Sequence, residues 1–549
     1  MPADDFVSNP EAPREEPVAT AVPGPRPGRG VAVNTAIFSI ATGLSRVAGL
    51  GREILASSYF ATSGAFSAFT LAFQVPNLLR MLVADQAVSA AFVPVFTDLL
   101  EKERRREAFQ LASSFFFLIL VGLGAITAVF VVLAPVVMPL FTGGQFTPAL
   151  DDLVAGLSQV LFPIVVLLGL SGLTLGILYA YDDFTIGGFA PLAWNVVIIS
   201  LLVALRPLFE GPDQLYAYAI GVLAGTIVQF AMTLPRLHRL GFRFTLRLDL
   251  RDRRLGRVMK LMLPVTISLG LINFSLVINS SLGSLVSEEA PRAIDAAFRI
   301  YQLPQGVFSI ALATVLFPTL ARYAARRDTD GLRASAANGV RQICLLLIPA
   351  AVLSIVLAEP ITRLIYEHGE FGPRSTDLVS SALLWFSFSL PLNGANLLLT
   401  RTFFSFQRPW LPTALAGVNV VVNIVVSAAL YGPLGIPGIV IGTLAGNVVM
   451  TAGQVFYLRR ELRGFEGRRT AIAVGQMLAA SALMGAAAYG VWRGLDEALG
   501  SGLGAQIASV GTACLAATML YAGAVLLMRV REAEQVRALI AGRRPRRPA

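Results

Sequence analysis

Four arginines stand where a membrane-embedded chain would ordinarily keep leucine. Arg46 and Arg52 lie in the otherwise apolar stretch "GLSRVAGLGREILASSYF", residues 43–60, with Glu53 beside them; Arg80 closes "VPNLLR", and Arg299 stands in "FRIYQLP". On insertion scales a centrally placed arginine costs roughly 2.5–3.5 kcal/mol, so four would cost on the order of 10 kcal/mol. Such side chains either reach the interface or line a hydrated cavity. Their surroundings favour the cavity. Gly49 and Gly51 lie between Arg46 and Arg52, while Pro76 and Pro304 sit beside Arg80 and Arg299. All four are expected as helix breaks or hinges, which at membrane depth are tolerated where they face water. The nearby carboxylates are Glu53 and Asp85, too few to neutralise four guanidiniums. The surplus positive charge suits an anion, and the planar fork of arginine matches phosphate through paired hydrogen bonds. A carrier of cations would invert this balance.

Membrane helices have to position these residues. Of the 549 residues 55% are hydrophobic and only 14% charged, too little charge to cover a soluble surface of that size. Runs of about 20 apolar residues recur from end to end, each long enough to cross a hydrocarbon core of roughly 30 Å. Their length selects helices over barrel strands. Fourteen such runs predict an all-α polytopic membrane protein. Residues 1–33, rich in Pro, Glu and Ala, read as a disordered cytoplasmic tail and not as a signal peptide.

The net charge of +10 is concentrated in alternate loops, such as "EKERRRE" (101–107), "RLHRLGFRFTLRLDLRDRRLGR" (236–257) and "RRELRGFEGRR" (459–469). The intervening loops "FTGGQFTPALDD" (141–152), "VSEEAPRAID" (286–295) and "YGPLGIPG" (431–438) hold almost no Lys or Arg. This positive-inside pattern puts both termini in the cytoplasm and argues against nucleic acid as a partner. Cys344 and Cys514 lie far apart in separate spans, and His238 and His368 fall on opposite sides of the membrane, so neither pair suggests a disulfide, a metal centre or catalysis.

The chain also repeats itself. "IGVLAGTIV" (220–228) and "IGTLAGNVV" (441–449) agree at six of nine positions, and "FQVPNLLR" (73–80) parallels "YQLPQGVF" (301–308). Asn195 in "WNVVIIS" parallels Asn423 in "VNIVVSA". All three matches are offset by six spans, so two six-helix bundles of the same orientation are expected: an N-lobe over 34–240 (helices 1–6) and a C-lobe over 255–460 (helices 7–12). A helix pair over 467–530 and a basic cytoplasmic tail over 531–549 complete the chain. Duplicated bundles of this kind bind substrate between the halves.

"SRVAGLGRE", "VPNLLRMLVADQAVSAAFVPVF", "GVFSIALATVLFPTLARYAARRD" and "LIYEHGEF" resemble the MurJ (MviN) family, lipid II flippases of the multidrug/oligosaccharidyl-lipid/polysaccharide exporter superfamily. The resemblance covers about residues 34–530. It implies a multi-pass protein of the bacterial inner membrane, a transporter and not an enzyme. It further implies that the undecaprenyl-diphosphate-linked peptidoglycan precursor moves from the cytoplasmic to the periplasmic leaflet by alternating access. The expected partners are that lipid-linked diphosphate, membrane lipids and the cell-wall synthesis machinery, with the chain acting as a monomer. Carried over by position, the family's essential arginines correspond to Arg46, Arg52, Arg80 and Arg299, and its acidic residue to Asp85. Helices 13 and 14 would form a groove for the lipid tail. Ser67, Met81 and Gln86 depart from the family pattern, where an aspartate, an arginine and a glycine are common. Some members resemble sodium-coupled transporters; Asn419, Asn423 and Thr443 stand where cation ligands would be, with Asn423 in place of a carboxylate. Those asparagines better suit hydrogen bonding between helices. Two further readings stay open: an exporter of another lipid-linked oligosaccharide or of drugs in the same superfamily, and, less well supported, a membrane enzyme acting on a lipid diphosphate.

Overall fold

The computed structural model describes residues 29–83, 86–181, 183–242, 245, 249, 252–406, 408, 410–462, 464–500 and 502–540. Side chains are described from residue 40 onward, except those of 80–90, 261, 263–265, 267–273, 310, 536 and 538–540. Fourteen spans follow one another. They are α1 (Arg29–Phe60), α2 (Gly64–Val83, continued by Gln86–Glu101), α3 (Arg105–Leu140), α4 (Pro148–Ala180) and α5 (Thr185–Leu208). Next come α6 (Gly211–Arg239), α7 (Arg253–Gly283), α8 (Ala290–Ala325), α9 (Thr329–Val356) and α10 (Pro373–Ser405). The last are α11 (Trp410–Leu434), α12 (Ile436–Glu461), α13 (Gly467–Leu499) and α14 (Leu503–Leu527). Eleven of these are apolar and long enough to cross a membrane on composition alone, and α1, α2 and α7 bring the total to the expected fourteen. Two shorter helices, Ala358–Tyr366 and Arg531–Ile540, flank the C-lobe, and the described residues contain no strand.

Local chemistry sets the helix starts. The Thr147 hydroxyl accepts the Leu150 amide at the head of α4, Asp252 accepts the Arg254 amide at α7, and Asp328 accepts the Gly331 amide at α9. One expectation needs correction here. Residues 286–295 are not all loop: α8 begins at Ala290, with Pro291 in its first turn, so Arg292 and Asp295 are helical and buried. Proline is at home there because the first helical amides have no partner to lose.

The repeat has a packing cause. Gly221 and Gly225 of α6 press on the α5 backbone, where an added Cβ would come within 3.2 Å of the Ile198 carbonyl and 2.9 Å of the Trp194 carbonyl. At Gly442 and Gly446 of α12 an added Cβ would lie 2.8 Å from the Asn423 and Asn419 carbonyls of α11. Small residues four apart let two helices approach to backbone contact in a setting without a hydrophobic drive between them. The duplicated asparagines also do equivalent work. Asn195 of α5 donates to the Ser45 carbonyl of α1 at 3.3 Å, and Asn423 of α11 donates to Asn279 of α7 at 3.1 Å.

Buried apolar residues from Ala290 to Ala533 form one continuous core, so α13 and α14 pack on the C-lobe; the Tyr521 hydroxyl donates to the Leu345 carbonyl at 2.8 Å. Two smaller cores fill the N-lobe, and one takes in Leu255, Val258 and Met262 from the start of α7. That helix therefore belongs to both lobes. Arg341 of α9 ties the last short helix to the C-lobe through Glu532 at 2.5 Å and Glu466 at 3.0 Å.

The lobes meet at the end that carries the Lys/Arg-poor loops. The Glu370 amide donates to the Ser58 carbonyl at 2.9 Å, the Thr62 and Ser375 hydroxyls are 2.8 Å apart, and Gln74 donates to Ser280 at 2.8 Å. Gly369 permits this approach: its φ is +62°, and a Cβ there would lie 2.4 Å from the Ser58 carbonyl oxygen.

Candidate anion-binding cavity

A cavity of about 670 Å³ lies between α1, α8 and the short helix Ala358–Tyr366, with Arg46, Arg52, Glu53, Arg299, Gln302 and Tyr366 among its lining residues. It thus gathers three of the four arginines singled out by sequence. The side chain of Arg80, like Asp85 as a whole, lies outside the described residues. Arg46 is exposed, one and a half turns before Arg52 on α1.

Arg52 is buried and donates to Glu53 at 3.0 Å, with its guanidinium 4.7 Å from the centre of the Trp194 ring. Glu53 is buried too, and reaches across to the C-lobe. Its Oε2 lies 3.2 Å from Arg292 and 3.2 Å from Arg299, both on α8. Asp295 Oδ2 accepts from the same two arginines, at 2.9 Å each. Arg292 is only 1% exposed; it also donates to Ser57 at 2.8 Å and stacks 4.0 Å over the Phe66 ring. Its backbone amide donates to the Ser67 hydroxyl at 3.2 Å. Ser67, one of the departures from the family pattern, therefore serves the first turn of α8, whose amides have no partner within the helix.

Arg292 and Asp295 were not read as site residues from the sequence. A signal was present: Arg292, Asp295 and Arg299 recur at i, i+3 and i+7, one face of one helix, after a proline that marks a helix start. They change the charge balance. Three guanidiniums face two carboxylates in the buried cluster, and with Arg46 the described surplus is two positive charges.

Arg299 is the residue most clearly placed for a ligand. Its side chain is 34% exposed and only its Nε engages Asp295 and Glu53. The two terminal nitrogens make no hydrogen bond among the described residues. The Nε is anchored, and the two terminal nitrogens stay unspent on a residue that lines the cavity, which suits bidentate binding of phosphate.

The expected helix breaks differ in kind. α1 runs unbroken through Gly49 and Gly51. A Cβ at Gly49 would make only ordinary contact, 3.7 Å from the Asn195 amide group, and one at Gly51 would meet open space. The first segment of α2 likewise continues through Pro76 to Val83. After Pro304, by contrast, α8 widens into a π-helical turn, Gln305–Ser309, at the cavity wall. Proline removes one backbone donor, and the wider turn accommodates the loss.

Asn419, Asn423 and Thr443 come together only through neighbours. Asn423 is fully buried, donates to Asn279 and accepts from Ser427 at 2.9 Å; Thr443 accepts from Asn279 at 2.9 Å, and Asn419 donates to Asn447 at 3.4 Å. A hard cation selects carboxylates and free carbonyl oxygens. Here neutral amides and hydroxyls pair with one another, and among the described residues no carboxylate joins them.

A family described as "Lipid II flippase MurJ" matches residues 56–502. A probable lipid II flippase MurJ of Treponema pallidum (strain Nichols) is 27% identical over 433 residues, 77% of this chain and 81% of the relative. A lipid II flippase MurJ of Burkholderia cenocepacia is 31% identical over 357 residues, 63% of this chain and 68% of the relative. Among solved structures, a lipid II flippase MurJ in an inward closed conformation superposes with a TM-score of 0.74 at 20% identity, over 92% of this chain and 100% of the other. An inward-facing multidrug-resistance MATE transporter of the MOP superfamily gives 0.66 at 16%, over 80% and 99%. The last two similarities show the shared fold.

Proposed function

The chain belongs to the lipid II flippase MurJ family, and on that premise we propose that it carries lipid II, an undecaprenyl-diphosphate-linked peptidoglycan precursor, across the bacterial inner membrane, holding the diphosphate in the arginine cavity. The observation that carries this reading is Arg299, anchored at its Nε by Asp295 and Glu53 with its terminal nitrogens unspent beside a 670 Å³ cavity. Arg46 adds an exposed positive charge on the facing helix, and Arg52 holds the near side of Glu53.

Orientation follows from charge. The basic loops mark the cytoplasmic side, and the lobes touch at the opposite end, so the cavity faces the cytoplasm in this state. The headgroup enters there while the prenyl tail remains in the bilayer, along the exposed apolar face of α13 and α14 (Leu478, Leu515 and Met519). The lobes then rock about the bound headgroup. Each negative charge carried outward gains about 2.3 kcal/mol per 100 mV of inside-negative potential, so a dianionic cargo is driven without a coupling ion. Drug export on the same fold is disfavoured by the surplus of arginine over carboxylate.

The test is binding of an undecaprenyl diphosphate lipid to the purified chain, with an undecaprenyl monophosphate and a cationic dye as controls. Preference for the diphosphate, lost in Arg299→Ala, is the expected result; normal binding by that variant, or best binding of the dye, would refute the reading.

A further inference from the structure

A second cavity, of about 270 Å³, opens in the C-lobe between α7, α8, α10, α11 and α12. Gln302 and Gln305 line both it and the arginine cavity, so the two lie side by side along α8. Their chemistry differs sharply. Among the described residues no ionisable side chain lines the second cavity; its polar lining consists of amides and hydroxyls, including Asn393, Asn419 and Asn447. We propose that this pocket is a subsite for an uncharged glycosyl ring, bearing hydroxyl or acylamino groups, that is joined to the diphosphate held by Arg299. The proposal rests on the anion-binding reading above and extends it.

Each feature of the pocket suits such a ring. Amides both donate and accept, which matches hydroxyls and acylamino groups and offers no counter-charge to an ion entering a desolvated site. Several are unspent. Gln302 and Gln305 make no side-chain hydrogen bond among the described residues, and Asn393 uses only its Nδ2, donating to the Tyr301 hydroxyl at 2.9 Å. An aromatic wall completes the site: Phe298 is half-buried, stacked on Tyr301 with ring centres 5.5 Å apart and braced by Phe386 at 5.6 Å. The electron-rich face of an aromatic ring attracts the polarised C–H bonds of a sugar. The volume admits one ring and little more. The π-helical turn Gln305–Ser309 lies at the junction of the two cavities and widens the helix there.

The test uses the purified full-length chain and two probes with the same tail: a bare polyprenyl diphosphate and one carrying a single N-acetylhexosamine. Two or three added hydrogen bonds predict that the glycosylated lipid binds about tenfold tighter or more. Gln302→Leu, at an exposed position, and Asn393→Leu should each cut that margin severalfold, and the two together should bring it to near unity. Arg299→Ala should weaken both probes while leaving their ratio. Equal binding of the probes by the unmodified chain, or a margin that survives in Gln302→Leu and Asn393→Leu, overturns the subsite. If instead the margin behaves as expected and Arg299→Ala binds both probes normally, the subsite stands and the arginine reading fails.

Discussion

Arg292 and Arg299, two helical turns apart on α8, share the same acceptors: Glu53 Oε2 at 3.2 Å from each and Asp295 Oδ2 at 2.9 Å from each. The buried arginine thus holds carboxylate charge that would otherwise draw the exposed one fully inward. On the proposed reading it is a positioning residue, acting on cargo through Arg299.

Arg292→Ala should therefore weaken diphosphate binding at least tenfold although the residue does not line the cavity. Removing one partner of a buried ion pair also costs about 3–5 kcal/mol of stability. Titration of a polyprenyl diphosphate beside thermal denaturation separates the two effects. Arg292→Lys, which keeps the charge, should recover part of the affinity. A variant that is destabilised yet binds normally would give Arg292 a purely structural role.

Glu53→Gln should move binding and transport in opposite directions. Loss of its charge releases Arg52 and Arg299 to the ligand, so affinity rises severalfold. The same loss weakens the tie between α1 and α8, and a tightly held cargo leaves slowly, so flux falls. Equilibrium binding and a reconstituted flipping assay read the two separately; a parallel decline in both would argue against the shared role of this carboxylate.

Closure at the Lys/Arg-poor end is open to direct measurement. With Cys344 and Cys514 replaced, Thr62→Cys with Ser375→Cys should cross-link under mild oxidant, because the native hydroxyls are 2.8 Å apart. Transport should stop and return on reduction. Adding Gly369→Ala should slow the cross-link, since the new Cβ collides with the Ser58 carbonyl at a backbone angle that favours glycine. Unchanged cross-linking would mean that this glycine does not govern the approach.

Driving force gives the fourth expectation. Replacing sodium by choline should leave the transport rate unchanged, because Asn419, Asn423 and Thr443 form a neutral hydrogen-bonded set. Collapsing the membrane potential with an ionophore should slow it. A rate that follows sodium and ignores the potential would reverse both statements.

The parts of the site that were legible in the sequence were those with a visible cost. Arg46, Arg52 and Arg299 are charged residues within apolar helices, and the insertion penalty alone marks them. Arg292 and Asp295 carry the same penalty but come just after "SEE", where charge density reads as loop; their spacing with Arg299 marks one helix face, and packing against Phe66 and Ser57 shows its depth. The amide pocket was illegible for another reason. Its members come from five helices, and single asparagines or glutamines in membrane helices are ordinary cross-links until tertiary structure gathers them. The repeat was legible because close backbone contact demands glycine at the same places in both halves.

The position of Glu53 has a consequence for selectivity. One carboxylate touches the two arginines nearest the cargo and the one that fastens the lobes together. The lock and the keyhole are then one object. If the arginines hold the diphosphate as proposed, a lipid without one can enter the cavity, but it offers nothing that competes for them and leaves by the side it came from. Discrimination on this arrangement is exercised at the door: what the protein rejects it still admits, and simply does not let through.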